Sequence, residues 1–292
     1  MIGILYESDE WSDHKLAAEL ENRSCAARLI NMEEPDNLDE VLSCDLLVSR
    51  VFASAGFRGH GLSLERMPEA LYQIARKGIP IINPAQAHFF ETDKKATAEA
   101  LRLIGLSVPQ VYACARPSKL KGQNLVYPCV IKPNCGGRSL HTTIAKNPLE
   151  ARAFLDSSPN LVFIVEEYIE PKKGFITRVE VIGSKCVLIL KRSIAANGLS
   201  TYHFGSTYEP YPQPAEALLE QCARAAERLL VELGSFDIIE NGSKYYFIDA
   251  NAVSNVSEDC TALFDFDLMS AYAEYIAGKN RALMARNANL TR

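Results

Sequence analysis

The sequence contains no run of about 18 consecutive apolar residues, which is the length that a membrane-spanning helix requires. Its first ten residues turn acidic without a basic and then apolar leader, so we expect neither a membrane span nor a signal peptide. None of the eight cysteines forms a C-x-x-C pair, which argues against zinc ribbons and thioredoxin-like motifs. We therefore expect free thiols and a cytoplasmic location.

The chain also lacks an excess of positive charge. It has 31 lysines and arginines against 36 aspartates and glutamates, which gives a formal net charge of -5. Nucleic-acid-binding proteins usually carry a basic surface, so we expect no nucleic-acid partner. With 292 residues, of which 48% are hydrophobic, the chain is long enough for two or three units that share a core.

Two glycine-rich fingerprints of nucleotide-binding proteins are missing. There is no G-x-x-x-x-G-K-[ST] string, and no G-x-G-x-x-G string follows the first expected strand. The sequence therefore predicts neither a P-loop nor a Rossmann dinucleotide site.

The spacing of apolar residues predicts a parallel sheet with covering helices up to about residue 85, because short apolar segments alternate there with helix-like segments. Strands are expected at 2–6, 27–30, 45–51 and 79–84. Helices are expected at 14–22, 38–42 and 68–77, the last of them ending at Gly78.

Beyond residue 90 the pattern changes to helices separated by hairpins. Helices are expected at 93–103, 149–155 and 215–233, and single strands at 130–132 and 161–165. Two hairpins are expected, with strands at 178–182 and 186–191 and at 236–239 and 245–249. Their turns fall at 183–184 and 241–242.

Asp237, Asp249 and Asn251 are the candidate metal ligands. Residues two apart on a strand point to the same face, so Asp249 and Asn251 can present oxygen atoms side by side. The hairpin can bring Asp237 opposite them. Two carboxylates and an amide oxygen suit Mg²⁺ when phosphate oxygens complete its coordination. The alternatives for the single residues are a solvated aspartate at a strand end and an asparagine that starts a turn.

Lys94 and Lys132 are the candidate phosphate-binding cations. Lys132 follows the apolar run 129–131, and lysine is rarely buried without a partner, for which a phosphate would serve. The alternatives are an edge-strand lysine that reaches solvent, for Lys132, and a charged helix start, for Lys94. Gly136 and Gly137 can turn backbone N–H groups towards a phosphate.

Taken in order, these segments resemble the ATP-grasp superfamily, and most closely its RimK/LysX-like carboxylate–amine ligases. The resemblance covers nearly the whole chain and is most specific at 91–97, 129–139, 164–183 and 234–251. It implies an α/β fold of the α+β ATP-grasp kind, with a parallel βαβ domain before two α+β subdomains that clasp the nucleotide. The implied parts are an N-terminal domain at 1–88, a central lid subdomain at 89–165 and a C-terminal subdomain with the Mg²⁺ site at 166–292.

The resemblance also implies a role for each motif residue. ATP would be bound by two lysines, a glycine loop and an adenine-contacting hinge, which correspond to Lys94, Lys132, Gly136, Gly137, Ser139, Glu166, Glu167, Tyr168 and Ile169. Arg178 and Arg192 match the family's catalytic arginines near the reacting phosphate. Two Mg²⁺ ions, with Mn²⁺ as an alternative, would be bound by Asp237, Asp249 and Asn251.

Three positions depart from the family pattern. Ile176 stands where the group often has an acidic residue for the ribose, so the ribose contacts do not carry over. The run Ala252-Val253-Ser254-Asn255 replaces the S-P-G loop that helps to bind the acceptor, so the identity of the substrate does not carry over. Asp249 replaces the glutamate of many relatives and keeps its charge.

The implied reaction joins a small-molecule carboxylate, such as an amino acid or a small peptide, to an amine. ATP would convert the carboxylate to an acyl phosphate, and the amine would then expel phosphate. Arg50, Arg58 and Arg138 are further candidates for binding substrate carboxylates, and solvated surface arginines are the alternative.

Other functions stay open on the sequence alone. They are a non-catalytic ATP-binding module, a ligase that modifies a peptide or protein acceptor, and a carboxylate kinase or thioester-forming ligase. A homo-oligomer is also allowed by the resemblance, since many relatives are dimers or tetramers.

Overall fold

Three sheets organise the chain, which is seen here in a computed structural model that describes residues 1–121, 123–200, 205–254, 256 and 258–290. The strands are β1 (Ile2–Tyr6), β2 (Ala27–Asn31), β3 (Leu46–Ser49), β4 (Ile81–Ile82), β5 (Val111–Ala115), β6 (Cys129–Pro133), β7 (Thr143–Ala145), β8 (Phe163–Glu167), β9 (Phe175–Ile182), β10 (Lys185–Ser193), β11 (Tyr208–Pro210), β12 (Leu233–Asn241) and β13 (Lys244–Asn251). The helices are α1 (Trp11–Asn22), α2 (Leu38–Leu42), α3 (Gly61–Lys77), α4 (Ala85–Thr92), α5 (Lys94–Leu103), α6 (Pro117–Leu120), α7 (Pro148–Asp156), α8 (Glu216–Leu229), α9 (Glu258–Phe264) and α10 (Leu268–Leu290), with a 3₁₀ turn at Ala55–Arg58.

The first sheet is parallel, with strand order β2-β1-β3-β4, as the alternation of segments predicts. Gly78 closes α3 as expected, with a left-handed φ of 66°. The expected start of α3 at Pro68 is wrong, because the helix begins at Gly61. Proline favours the first turn of a helix, but the buried residues Ser63 and Met67 extend the inner face of α3 ahead of it.

The second sheet is antiparallel, with strand order β5-β8-β6-β7, and α7 packs on one of its faces through Ala151 and Leu155. The strand expected at 161–165 runs instead from Phe163 to Glu167. Because β6 is an inner strand, Lys132 is not an edge-strand lysine.

The third sheet is antiparallel, with strand order β11-β10-β9-β12-β13, and it contains both expected hairpins. Successive residues of its strands face opposite sides. Val179 and Val181 of β9 pack in a core with α4, α5 and α8. Ile176, Arg178 and Glu180, on the opposite face of the same strand, line a cleft.

Helix α8 is shorter than the expected 215–233. It ends at Leu229, because Leu230 adopts a left-handed φ of 55° and Leu233 already begins β12. Leu233 is buried, but in a cluster with β1 and α10 rather than with Leu218 and Leu229 of α8. The position of Leu233, four residues after Leu229, fits the apolar spacing of a helix although Leu233 belongs to a strand.

The last helix joins the two ends of the chain. Leu268, Tyr272 and Ile276 of α10 share one core with Ile2 and Ile4 of β1. This packing places the segment before α10 beside the N-terminal sheet. Within the described residues, no helix combines the length and the apolar character needed to cross a membrane.

Candidate functional site

A cavity of about 500 Å³ lies between the two antiparallel sheets. The loop 134–142 between β6 and β7 and residues Phe52 and Ser54 after β3 also line it. All fourteen site residues expected from the sequence line this one cavity: Lys94, Lys132, Gly136, Gly137, Ser139, Glu166, Glu167, Tyr168, Ile169, Arg178, Arg192, Asp237, Asp249 and Asn251. The structure therefore brings together residues that are up to 157 positions apart (251 − 94 = 157).

Three charged residues form a row across neighbouring strands. Asp237 of β12 is paired directly with Arg178 of β9 on one side and with Asp249 of β13 on the other. Directly opposed residues of antiparallel strands point to the same face. Both carboxylates and the arginine therefore face the cavity together.

A β-bulge next to this row adjusts the direction of the ligand side chains. The register between β12 and β13 shifts after Asp237, so that Ile248 is the additional residue on β13. The bulge allows Ile248 and Asp249 both to line the cavity, which strict alternation would forbid. Asn251, two residues further, lines it as well and donates from its amide nitrogen to Ser235 Oγ (3.4 Å).

The two aspartates are paired with different cations. Asp237 accepts from Arg178 Nη1 (3.3 Å) and lies 3.0 Å from Arg192 Nη2. Asp249 accepts from Lys94 Nζ (3.0 Å). Burial raises the pKa of Asp249, but the attraction of Lys94 and Lys132 outweighs it, so the pKa lies below its ordinary value. Asp249 is thus an anionic acceptor at neutral pH.

The two candidate phosphate lysines are both directed into the cavity. Lys94 opens α5, its side chain is 11% exposed, and Nζ also donates to the carbonyl of Gly136 (2.8 Å). The next residue, Lys95, is 49% exposed and pairs with Glu99 on the surface. Lys132 donates to the carbonyl of Ile248 (2.7 Å), which joins the second sheet to the bulge in the third.

Glu180 is a functional candidate that the sequence analysis missed. It is fully buried, it accepts from Arg178 Nε (2.8 Å) and Ser254 Oγ (2.8 Å), and it lies 3.5 Å from the hydroxyl of Tyr272. Arg178 Nη2 in turn donates to Ser254 Oγ (2.9 Å), so Glu180 and Ser254 fix the orientation of the guanidinium. The signal that could have revealed it is its position two residues after Arg178, on the same face of β9.

The glycine loop is attached to the N-terminal part of the chain. A β-carbon at Gly136, whose φ is 152°, would lie 2.5 Å from a ring carbon of Phe57. Arg138 forms an ion pair with Glu10, and the ring of His141 lies 5.0 Å from that of Phe57. The loop therefore meets the N-terminal part at several points.

The hinge residues extend from the end of β8. Glu166 is buried and its carboxylate lies 2.8 Å from Lys132 Nζ. The backbone N–H of Glu167 donates to the carbonyl of Gln110 (2.8 Å), and the side-chain carboxylate of Glu167 accepts from the backbone N–H of Gln110 (3.2 Å). Tyr168 and Ile169 follow, and Ile169 packs in an apolar cluster with Ile176 and Ile239, so Ile176 lies on an apolar wall of the cavity.

Two buried polar residues hold the chain immediately after Asn251. Asn83, which has a left-handed φ of 57°, donates to the carbonyls of Leu233 (2.7 Å) and Ala252. Glu91 accepts from the backbone N–H of Ala252 (2.6 Å). The sequence analysis missed both, since nothing in their local spacing relates them to a strand 150 or more residues away.

The three further arginines are neither free nor solvated. Arg50 is 3% exposed and forms an ion pair with Asp13. Arg58 forms ion pairs with Glu7 and Glu10, the second at 3.1 Å, and Arg138 shares Glu10. The alternative of solvated surface arginines is therefore wrong, because each of the three is at most 25% exposed and forms an ion pair with a carboxylate. Of the substituted acceptor loop, Asn255 lies outside the described residues.

Known proteins resemble this chain in sequence and in structure. A curated relative from Vibrio atlanticus (strain LGP32), described as a probable alpha-L-glutamate ligase, is 25% identical over 177 residues, which cover 58% of this chain and 56% of the relative. The match thus spans only about half of that protein. A RimK domain ATP-grasp protein from Sphaerobacter thermophilus superposes with a TM-score of 0.70 at 18% identity, covering 94% of this chain and 98% of that one.

The ATP-grasp ligase PsnB, solved with a phosphomimetic variant of its minimal precursor, Mg and ADP, superposes with a TM-score of 0.66 at 16% identity, covering 96% and 98% of the two chains. These similarities establish the fold, and the expected α/β ATP-grasp architecture is confirmed. The model of the ATP-grasp domain family matches residues 91–253, more than half of the chain. This chain therefore belongs to the ATP-grasp family.

Proposed function

We propose that the chain is an ATP-dependent carboxylate–amine ligase that forms an amide bond through an acyl phosphate and releases ADP and phosphate. The observation that carries the proposal is the row Arg178–Asp237–Asp249 on three neighbouring strands, with Lys94 and Lys132 beside it in one cavity. A cationic and anionic set of this kind suits phosphoryl transfer, which depends mainly on positioning and charge stabilisation.

The apolar walls and the lysines of the cavity suit the adenine and the phosphates of ATP. The apolar side chains of Val130 and Ile144 on one sheet and Ile176 and Ile248 on the other would enclose the adenine near the hinge. Lys94 and Lys132 would bind the phosphates, together with the loop that contains Gly136, Gly137 and Ser139.

The donor set at Asp237, Asp249 and Asn251 fits Mg²⁺. Among the described residues, no group of three or more His, Cys, Asp or Glu side chains could hold a metal ion, so two carboxylates and one amide would depend on phosphate oxygens to complete a site. Mg²⁺ is usually bound in that way. When held by Asp237, Asp249 and Asn251, it would offset the negative charge of the phosphates.

The chain's own residues would act in two chemical steps. First, a substrate carboxylate oxygen attacks the γ-phosphorus of ATP, and ADP leaves. Arg178 and Arg192 would stabilise the charge of the transferred phosphoryl group. Then an amine attacks the acyl carbon, phosphate leaves, and the amine loses a proton. The glycine loop would exclude water, which otherwise hydrolyses the acyl phosphate.

We also propose the three-part division of the chain, the substrate class and the location that the sequence predicts. The N-terminal part at 1–88, the central part at 89–165 and the C-terminal part at 166–292 would close around the nucleotide. The substrates would be a small carboxylate and a small amine rather than a nucleic acid or a membrane. A cytoplasmic location agrees with the free cysteines of the described chain, and a homo-oligomer stays open.

The experiment that tests the proposal measures ADP release from Mg·ATP with a pool of amino acids and small carboxylates. Hydroxylamine serves as the trapping amine, because it converts an acyl phosphate to a hydroxamate. We expect hydroxamate to form together with ADP. ADP release that stays at the background rate with every carboxylate, despite measurable Mg·ATP binding, would contradict a ligase of small carboxylates and favour a binding module or a ligase with a macromolecular substrate.

Two neighbouring lysines provide a matched pair of variants for this assay. Lys94→Gln removes the cation that contacts Asp249 and Gly136, so we expect hydroxamate formation to fall by about 100-fold or more. Lys95→Gln makes the same change one residue further on the exposed surface, so its activity is expected to match that of the unaltered chain. Equal losses in the two variants would contradict the assigned role of Lys94.

A further inference from the structure

The cavity has a second apolar end, remote from the hinge. We propose that the carboxylate substrate carries an apolar side chain that binds there, against Leu188, Val253, Val256, Leu263, Phe264 and Phe266. This inference rests on the proposed ligase function and names the chemical class of its substrate.

The strands of the third sheet define the position of this end. Ile176, Arg178 and Glu180 face the cavity in succession along β9, with about 7 Å between one and the next at the usual rise of a strand. Ile176 belongs to the apolar cluster at the hinge, and Arg178 belongs to the row of charged residues. Glu180 therefore marks the far end, and Leu188 of β10 is paired directly with it.

The residues after Asn251 continue from this end. Ser254 contacts both Arg178 and Glu180, and Val253 and Val256 line the cavity on either side of it. A carboxylate that reaches the γ-phosphate beside Arg178 would consequently have its side chain next to this segment.

The remaining wall comes from α9 and the residues before α10. Phe264 and Phe266 are half-buried, and Leu263 is 62% exposed, although all three line the cavity. Exposed apolar side chains are common when scattered, but adjoining ones along a binding cleft are typical of a site for an apolar ligand group.

The charges of the cavity argue against an acidic side chain at this end. Within the described chain, each lysine and arginine that lines the cavity already has a carboxylate partner: Lys94 with Asp249, Lys132 with Glu166, Arg138 with Glu10, Arg178 with Glu180, and Arg192 with Asp237. ATP with two Mg²⁺ ions would add no net charge. A substrate carboxylate at the far end would therefore lack a cation and would face Glu180.

The alternative of a basic side chain is also disfavoured. Both oxygens of Glu180 are already in contact with donors of the chain, from Arg178, Ser254 and Tyr272. A substrate ammonium group would have to displace one of them. The Vibrio relative is described as a probable alpha-L-glutamate ligase, and the wall of this cavity points to an apolar side chain for the substrate of this chain.

The experiment compares leucine, phenylalanine, glutamate and lysine as single carboxylate substrates, with hydroxylamine as the trapping amine and Mg·ATP in excess. We expect kcat/KM for leucine and phenylalanine to exceed that for glutamate and for lysine by about tenfold or more, the range for burying a few methylene groups. Equal or better use of glutamate or lysine would overturn the inference and leave the ligase function intact.

A substitution at the rim tests the location of the site. Leu263→Arg introduces a cation at an exposed position that should not disturb folding, so we expect kcat/KM for glutamate to rise and that for leucine to fall, each by about tenfold. Leu149→Arg makes the same change at an exposed leucine of α7 outside the cavity and should leave both values unchanged. An unchanged ratio in Leu263→Arg would overturn the proposed location.

The outcomes of these experiments distinguish a failure of the apolar site from a failure of the proposed ligase function. Hydroxamate formation with the wrong class of side chain contradicts only the apolar site. The absence of hydroxamate with all four amino acids and with the wider carboxylate pool, while Mg·ATP binds, contradicts the ligase function and overturns the inference with it.

Discussion

Gly234 of β12 lies against the backbone of Asn251 on β13, and a β-carbon at Gly234 would be 2.2 Å from the carbonyl oxygen of Asn251. A backbone atom cannot rotate away as a flexible side chain can. The absence of a side chain at Gly234 therefore allows the close approach that positions the last of the three candidate Mg²⁺ ligands.

We predict that Gly234→Ala displaces Asn251 and weakens Mg²⁺ binding. The overpacking should lower the free energy of unfolding by about 1–3 kcal/mol, measured by urea denaturation. In the ADP-release assay, the Mg²⁺ concentration for half-maximal rate should rise.

Gly278→Ala is the matched control for this prediction. Gly278 lies inside α10, where an added β-carbon would be no closer than 3.9 Å to its neighbours. Alanine is the better helix former by about 0.5–1 kcal/mol, so this variant should be as stable as the original or more so. If Gly234→Ala is equally well tolerated, the close approach has no role in positioning Asn251.

Asp249→Asn tests the charge on the central carboxylate. Asparagine keeps the shape and one acceptor oxygen but removes the negative charge that faces Lys94 and, in the proposal, Mg²⁺. We predict that the rate of ADP release falls by about 100-fold or more, the range for losing one group that stabilises charge at a reacting centre.

The control for this variant is Asp156→Asn. Asp156 is an exposed residue at the end of α7 and pairs with Lys121 on the surface, so the same chemical change there should leave the rate of ADP release unaltered. Retention of most of the activity by Asp249→Asn would contradict its assignment as a metal ligand.

The row of charged residues could be predicted largely because short-range signals specify it. Asn241-Gly242 sets the turn of one hairpin, and the apolar runs on each side of it predict the strands β12 and β13, which place Asp237 opposite Asp249. The bulge at Ile248 was not predictable, because it inserts a residue without any change in the type of the neighbouring side chains.

The hydrogen bonds that hold the chain after Asn251 could not be predicted, because they join segments that are distant in the sequence. Asn83 and Glu91 hold Ala252 across 169 and 161 positions, and no spacing rule relates residues so far apart. The end of α8 was also predicted wrongly because of contacts with distant segments. Leu233 is buried by α10 and β1, so its apolar character did not reflect a further turn of the helix.

Glu10→Gln tests the attachment of the glycine loop. Glu10 forms ion pairs with Arg58 and with Arg138 of the loop, and loss of the second pair should let the loop open more often and admit water to the acyl phosphate. Half-exposed ion pairs contribute about 0.2–1 kcal/mol, so we expect ADP release without coupled product to rise by no more than about fivefold. The measurement is the ratio of ADP to hydroxamate.

Glu40→Gln removes a comparable ion pair, with Arg28 at 3.2 Å, on a surface remote from the loop. It should leave the ratio of ADP to hydroxamate unchanged. The same ratio in Glu10→Gln and the unaltered chain would mean that the other contacts of the loop, such as the one between Phe57 and His141, suffice to hold it.

The raised pKa of the buried Glu91 carboxyl group predicts how the free energy of unfolding depends on pH. Burial raises its pKa to about 7, although Lys94 and the backbone N–H groups of Ala53 and Ala252 lower it, and Asp249 adds to the increase. In the unfolded chain the carboxyl group titrates near its ordinary value, so between pH 4.5 and about 7 the folded state binds more protons. The contribution of Glu91 is therefore fully present below pH 4.5 and is lost as the pH rises through about 7.

Glu91→Gln abolishes this titration and retains a side chain of the same size. We predict that the free energy of unfolding of the unaltered chain, relative to that of Glu91→Gln, falls by up to about 3 kcal/mol between pH 4.5 and 8, as measured by urea denaturation. Any constant penalty from the altered hydrogen bonds cancels in this comparison. Glu99→Gln, at an exposed position on α5, should show no such pH-dependent difference. A difference for Glu91→Gln that is independent of pH would show that Glu91 titrates near its ordinary value in the folded protein, and that its two backbone hydrogen bonds offset the cost of its burial.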